Sequence, residues 1–360
     1  MEHRHGGDIY AEDLTAEPLD FSASINPLGM PESVRQAALQ ALSGCVHYPD
    51  PQCRRLRQTI AAREGVAPGQ VFCGNGAADV LYRLMLALQP KQILLPAPTF
   101  SEYEQAAALA GSTIVRFPLR EEDGFAISEA FWDAVTPETD LVIVCNPNNP
   151  TGQVTPKWLV KKGMERCRAV GARLLVDECF HDFLDEPERI AMTDCVPENR
   201  HLILLRSFTK MYAMPGIRLG YCLSSDIELL EQLYDMGAPW SVSVLAQACG
   251  VAAAQDTVFP VQTRKYITKQ RQQLQDGLQE LGFTVLPGQA NYLLCHMDGV
   301  PELVQQLRER GILIRCCDTF AGLDGSWFRI AVRTEAEQFV LLQTLRQLIQ
   351  QRKVGNQWQR

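Results

Sequence analysis

The sequence predicts an α/β protein, with a large, doubly wound and mostly parallel sheet domain followed by a smaller α+β C-terminal domain. Three observations carry that prediction. Short runs of Val, Ile and Leu, apolar on both faces, recur between turn residues. Helical patterns separate them. After about residue 245 the order changes to a long polar amphipathic helix followed by short strands and helices.

Five runs read as buried strands: "QVFCG" (70–74), "QILLP" (92–96), "DLVIVCNP" (140–147), "RLLVDE" (173–178) and "HLILLRS" (201–207). Between the first two, Ala77–Leu88 places Val80, Leu81, Leu84, Met85 and Leu88 at helical spacing, and Glu102–Ala110 is similar. In the C-terminal part, "TRKYITKQRQQLQDGLQELG" is an amphipathic helix that stops at Gly282. It precedes "FTVLPGQANYLLCHM", "PELVQQLRERG", "ILIRCC", "WFRIAVR" and a last helix at 335–352. The tail "KVGNQWQR" is expected to fray. The chain thus divides into an N-terminal arm (1–30), a large domain (31–245) and a small domain (246–360).

With 360 residues, 46% of them apolar and 21% charged, the chain can bury a sizeable core. A formal charge of −8 argues against nucleic acid as the main partner, although a local basic pocket for a small anion is compatible with it. Twelve cysteines are scattered without a C-x-x-C pair or a metal-like Cys/His spacing, and many lie in apolar runs. No apolar stretch reaches the roughly 20 residues that span a bilayer. The expectation is a soluble protein of a reducing cytoplasm, with no metal and no membrane partner.

Ligands of α/β sheets bind beyond the carboxyl ends of the strands, and the unusual residues of this chain lie there. After "VFC" comes Gly74-Asn75-Gly76-Ala77-Ala78, opening a helix whose free N–H groups suit a phosphate. After "LVIVC" comes "NPNNPTG", which fixes the Asn149 amide at a strand end. After "RLLV" come Asp177 and Glu178, and a carboxylate ending an apolar strand needs a partner, expected to be a cation. After "LILLR" comes Ser207-Phe208-Thr209-Lys210.

A lysine, a buried acid, an amide and a phosphate cradle at one sheet edge are what pyridoxal 5'-phosphate requires. Lys210 would carry the cofactor aldehyde and Asp177 would hold the pyridine nitrogen protonated. Asn149 would hydrogen-bond the ring hydroxyl. Gly76, Ala77, Ser207 and Arg218 would grip the phosphate, Arg218 through its fork. His47, His181 and His201 read as structural or surface residues.

The succession N-P-T-G, D-E-x-x, S-x-x-K and G-x-R-x-G-Y resembles the fold-type I pyridoxal-phosphate enzymes of the class I/II aminotransferase superfamily, over nearly the whole chain. The resemblance implies that Phe100 stacks on the ring. It also implies that Tyr48 reaches the phosphate of a neighbouring subunit, hence a homodimer with shared active sites. Within that superfamily the nearest branches are the histidinol-phosphate aminotransferases and the threonine-phosphate decarboxylases of cobalamin synthesis. "RHGGD", "LDFSASINPLGMP" and "APWSVSVLAQ" are more similar to the decarboxylases. Phe180 stands where the aminotransferases carry tyrosine, and Arg333 where they tend to have glycine.

That branch implies decarboxylation of O-phospho-L-threonine. His5 and Gly6 would close over the substrate, which Ser24, Asn149, Arg315 and Arg329 would bind. Arg315 is assigned mainly to the substrate phosphate and Arg329 mainly to its carboxylate, with an exchange of roles open. Ser24 replaces the asparagine common in the decarboxylases, which leaves open a related substrate such as O-phospho-L-serine. The competing expectation is an aminotransferase for histidinol phosphate or an aromatic amino acid, which would require a 2-oxo acid.

Overall fold

The computed structural model describes residues 6–11, 13–14, 18–300 and 302–357, with side chains through Gln351. Along the chain its strands are β1 (Leu19–Asp20), β2 (Val71–Gly74), β3 (Gln92–Ala97), β4 (Thr113–Pro118) and β5 (Leu141–Cys145). They continue with β6 (Arg173–Asp177), β7 (Leu202–Ser207), β8 (Gly220–Leu223), β9 (Thr284–Leu286) and β10 (Tyr292–His296). The last three are β11 (Ile312–Leu313), β12 (Arg315–Cys316) and β13 (Trp327–Ala331).

Seven strands form one sheet in the order β2-β8-β7-β6-β5-β3-β4. All run parallel except β8, which is antiparallel to both of its neighbours. The five apolar runs read from the sequence are β2, β3, β5, β6 and β7. Their alternate residues feed two separate cores. Leu94, Val142, Val144, Leu174, Val176, Leu202 and Leu204 pack on one face. Ile93, Leu95, Ile143, Leu175, Ile203 and Leu205 pack on the other, together with the helix Ala77–Leu88. A strand covered on both sides has no polar face, hence the continuous apolar runs.

Two strands of this sheet were not expected. β4 is the sheet edge, and its residues are exposed or half-exposed throughout, so it lacks the apolar signature of its neighbours. β8 is only four residues long and opens on a glycine.

The C-terminal strands make a second, antiparallel sheet in the order β12-β13-β10-β9. β1 pairs in parallel with β11, which ties the N-terminal segment to this part of the chain. The amphipathic helix expected to end at Gly282 spans Val258–Glu280. The final helix runs from Glu335 to Gln357, past its expected end at 352. Among the described residues no single helix is long and apolar enough to cross a membrane.

Candidate active site

Sheet register brings the polar loops together. Cys145 pairs with Asp177, and Asp177 with Leu205. Ser207 pairs with Gly220, which in turn faces Gly74. The loops after β2, β5, β6 and β7 and the segment before β8 therefore open at one edge, around a cavity of about 400 Å³. Ala77, Phe100, Asn149, Asp177, Ser207 and Lys210 line it. So do Gly6, Ser24, Phe180, Arg218, Arg315 and Arg329.

The residues expected to cradle a phosphate lie together at the start of the helix Ala77–Leu88. Gly76 caps the helix Ala77–Leu88 with φ +91° and offers no side-chain cap to its first N–H groups. Asp79 accepts instead from the N–H of Asn75 (2.9 Å), outside the helix. A Cβ on Gly76 would lie 2.6 Å from Arg218 Nη2, so glycine is what lets the guanidinium close the cradle. Arg218 is itself held by its Nη1 donating to the Pro215 carbonyl (3.0 Å). Ser207 and Thr209 complete this side, with 2.7 Å between their hydroxyls.

Of the three asparagines in "NPNNPTG", two fold the loop. Asn146 exchanges hydrogen bonds with the Thr155 backbone (2.9 Å each). Asn148 donates to the Pro98 carbonyl and to Thr151 Oγ1, 3.0 Å each, and accepts at its side-chain oxygen from the Thr99 hydroxyl (2.9 Å). Asn149 lines the cavity, and its Oδ1 accepts from Arg329 Nη1 (2.7 Å). Arg329 Nη2 donates to the Ser22 carbonyl (2.6 Å), while its buried Nε has no partner. The buried Ser24 hydroxyl also lacks one.

The two carboxylates after "RLLV" differ from expectation. The cation belongs to Glu178, 2.6 Å from Arg206 Nη2, with both side chains almost fully buried. Asp177 accepts instead from the Tyr103 hydroxyl (2.7 Å) and from the Cys179 N–H (2.9 Å). Burial pushes the Asp177 carboxyl above its ordinary range, against the pull of these two donors and of Lys210. Burial also pulls the Lys210 amine below the ordinary lysine value, aided by the positive charges of Arg329 and Arg218. The two groups that the sheet edge brings together are thus poorly solvated as ions, and each gains from a polar partner of opposite character.

Phe180 is buried, packs edge-on against Tyr292 at 5.0 Å and has Lys210 Nζ 5.9 Å from its ring centre. Arg315 donates to Thr319 Oγ1 (2.7 Å) and lies over Phe320. Arg333 faces away into an ion pair with Glu337 (2.5 Å). Tyr48 lies outside the cavity, 78% exposed and stacked on Trp240. His5 lies outside the described residues. Sequence reasoning missed Tyr103, Thr209 and Phe320.

These features fit pyridoxal 5'-phosphate. A cradle that a Cβ would fill, a recessed amine, a buried carboxyl above its ordinary range and unpartnered polar atoms converge on one cavity. Lys210, Arg218, Arg315 and Arg329 outnumber the lining carboxylates Glu102 and Asp177, which suits a ligand carrying several negative charges.

Comparison with known proteins agrees. The family model for aminotransferase class I and II matches residues 16–345. The threonine-phosphate decarboxylase of Salmonella typhimurium is 36% identical over 353 residues, covering 96% of each chain. A histidinol-phosphate aminotransferase of Caldanaerobacter subterraneus is 29% identical, over 91% of this chain and 92% of that protein. The crystal structure of the histidinol-phosphate aminotransferase from Clostridium acetobutylicum superposes with a TM-score of 0.87 at 28% identity, covering 92% of this chain and 99% of that one. The chain belongs to the class I and II aminotransferase family, with the fold-type I architecture of its pyridoxal-phosphate enzymes.

Proposed function

We propose that this protein decarboxylates O-phospho-L-threonine to (R)-1-amino-2-propanol O-phosphate and CO2, for the nucleotide loop of cobalamin. The observation that carries the reading is a cavity with more cationic capacity than the cofactor phosphate needs. Arg218 serves the cradle beside Gly76, while Arg315 and Arg329 line the same cavity and can meet two further anionic groups. A phosphoamino acid has two such groups, its phosphate and its carboxylate. Similarity to the Salmonella decarboxylase, higher than to the Caldanaerobacter aminotransferase, points the same way.

Pyridoxal 5'-phosphate, if bound here, would supply an electron sink for the bond to be broken at the substrate's Cα. Lys210 would hold the cofactor through its Nζ. With the substrate in place, the same Nζ would hold the proton that Cα takes up in exchange for its carboxylate. Asp177 keeps the pyridine nitrogen protonated, and Tyr103 holds that carboxylate in place. Arg329 engages the Asn149 oxygen, which leaves the amide N–H groups for the ring hydroxyl. Arg315 would take the substrate phosphate and Arg329 the carboxylate, and anchoring both ends would fix the orientation of the substrate's Cα. Ser24 would add a hydroxyl donor to the substrate, and Gly6 would cover it.

The chain works as an arm (1–30), a cofactor-binding domain (31–245) and a small domain (246–360), in the cytoplasm. It is a homodimer in which Tyr48 reaches the neighbour's cofactor phosphate, which accounts for a tyrosine left 78% exposed on one chain. The test is a substrate panel with product identification. O-phospho-L-threonine alone should yield the amine phosphate. Preference for O-phospho-L-serine would move the substrate assignment to that compound through Ser24, and turnover confined to histidinol phosphate with 2-oxoglutarate would overturn the decarboxylase reading.

A further inference from the structure

The segment carrying Lys210 is irregular. After β7 the chain makes a series of turns through Ala213, which itself has φ +45°. A lysine on a helix or strand would have its direction fixed by the backbone ladder; this one has no such ladder. Within the turns, the Lys210 carbonyl accepts only a long bond, from the Ala213 N–H (3.4 Å). The Tyr212 N–H donates to the Phe208 carbonyl (3.3 Å) and the Met214 N–H to the Thr209 carbonyl (3.2 Å), closing the turns around Lys210, and a further anchor for its backbone comes from elsewhere in the fold.

It comes from Asn26, 2% exposed and far away in sequence. The Asn26 N–H donates to the Lys210 carbonyl (3.1 Å). Its Nδ2 donates to the Met211 carbonyl (2.7 Å) and to the Thr263 hydroxyl (2.9 Å). Its Oδ1 accepts from the Leu28 N–H (3.0 Å). One residue thus holds two successive carbonyls of the lysine turn, Lys210 through its backbone N–H and Met211 through its side chain, and the side chain ties the second to a fully buried threonine of the helix Val258–Glu280. An asparagine supplies both donors and an acceptor on one planar group, which serine or aspartate does not.

The strand of chain leading to Asn26 is fastened at its other end to the substrate side of the cavity. The Ala331 N–H donates to the Phe21 carbonyl (2.8 Å), and Arg329 Nη2 to the Ser22 carbonyl (2.6 Å). Asn291 Nδ2 donates to the Ser24 carbonyl (3.0 Å). Residues 21–26 therefore form a strap from Arg329 to the backbone of Lys210.

We infer that Asn26 is a positioning residue for Lys210: through the Lys210 and Met211 carbonyls it sets where the amine meets the cofactor aldehyde, and it ties that position to Arg329. The inference rests on the reading of Lys210 as the residue that carries the cofactor. That reading is checked separately, by borohydride reduction of the loaded wild-type protein and peptide mapping. A label on any residue other than Lys210 would sink it before Asn26 is tested.

The test compares Asn26→Ala with Thr263→Val, which removes the hydroxyl beneath Asn26 and keeps both contacts to the lysine turn. Three properties are read: thermal unfolding, the rate at which cofactor-free protein captures pyridoxal phosphate, and the pH midpoint of the bound cofactor's colour change. Asn26→Ala should capture the cofactor roughly 10- to 100-fold more slowly, as misplacement of a reacting group predicts, and should shift the midpoint. Thr263→Val should match the wild type in both. Equal capture rates and midpoints for folded Asn26→Ala and wild type would overturn the inference. Should Asn26→Ala fail to fold, hydrogen exchange on the wild-type holoprotein decides. The Asn26 amide should open together with 209–214, and its free exchange while that turn stays protected would contradict the account.

Discussion

Gly76→Ala places a methyl group 2.6 Å from Arg218 Nη2 and 3.2 Å from its guanidinium carbon. The arginine must withdraw from the cradle. It then loses at least one charge-assisted hydrogen bond to the cofactor phosphate, worth about 1.5–3 kcal/mol. At about 1.4 kcal/mol per tenfold, affinity for pyridoxal 5'-phosphate should fall roughly 10- to 150-fold. The same substitution forces alanine to φ +91° and ψ 160°, a region essentially confined to glycine, which costs about 1–3 kcal/mol of stability. That strain is present with and without cofactor, so it lowers the unfolding temperature and leaves the affinity unchanged. Gly65→Ala separates the two effects, because Gly65 has φ +70° and open space around its would-be Cβ. Absorbance titration of cofactor-free protein reads the affinity, and thermal unfolding reads the strain. Loss of affinity in Gly65→Ala, or an unchanged affinity in Gly76→Ala, would refute the cradle assigned to Gly76 and Arg218.

Three further outcomes are expected. Arg206→Met strands the buried Glu178 carboxylate and weakens the hold on Glu64, 3.6 Å away; it should cost about 3–5 kcal/mol in urea unfolding, with part restored in Arg206→Met/Glu178→Leu. For Lys210, the folded amine titrates below the ordinary value of 10.5, so in that window the unfolded chain binds more protons. Stability of cofactor-free protein should accordingly rise as pH climbs through the lowered value towards 10.5, and Lys210→Met should remove that slope in thermal scans. Phe180→Tyr adds a hydroxyl to a ring whose centre lies 5.9 Å from Lys210 Nζ and should lower decarboxylation by roughly tenfold or less, the worth of one hydrogen bond, while raising the share of transamination in product analysis.

The sheet was legible where burial is two-sided. β3, β5, β6 and β7 are apolar at successive positions because each face meets its own core. β4 was not, since an edge strand exposed to water carries Thr113 and Arg116 like any loop. The candidate site was legible at strand ends, where polar residues interrupt apolar runs. Asn149, Asp177, Ser207 and Lys210 all line one cavity for that reason. Tyr103 escaped notice because a buried aromatic on a helix has the same sequence signature whether it packs or donates a hydrogen bond. Arg206 and Asn26 escaped because their partners, Glu64 and the Lys210 turn, are joined to them only by folding.

The most direct test is the stoichiometry of CO2 release from the pyridoxal-phosphate-loaded protein given O-phospho-L-threonine, with no 2-oxo acid present. The account predicts many equivalents of CO2 per active site, with the cofactor's colour restored at the end. Background CO2, with substrate consumption stopping at one equivalent per site as the cofactor converts to its amine form, would contradict it and establish an aminotransferase.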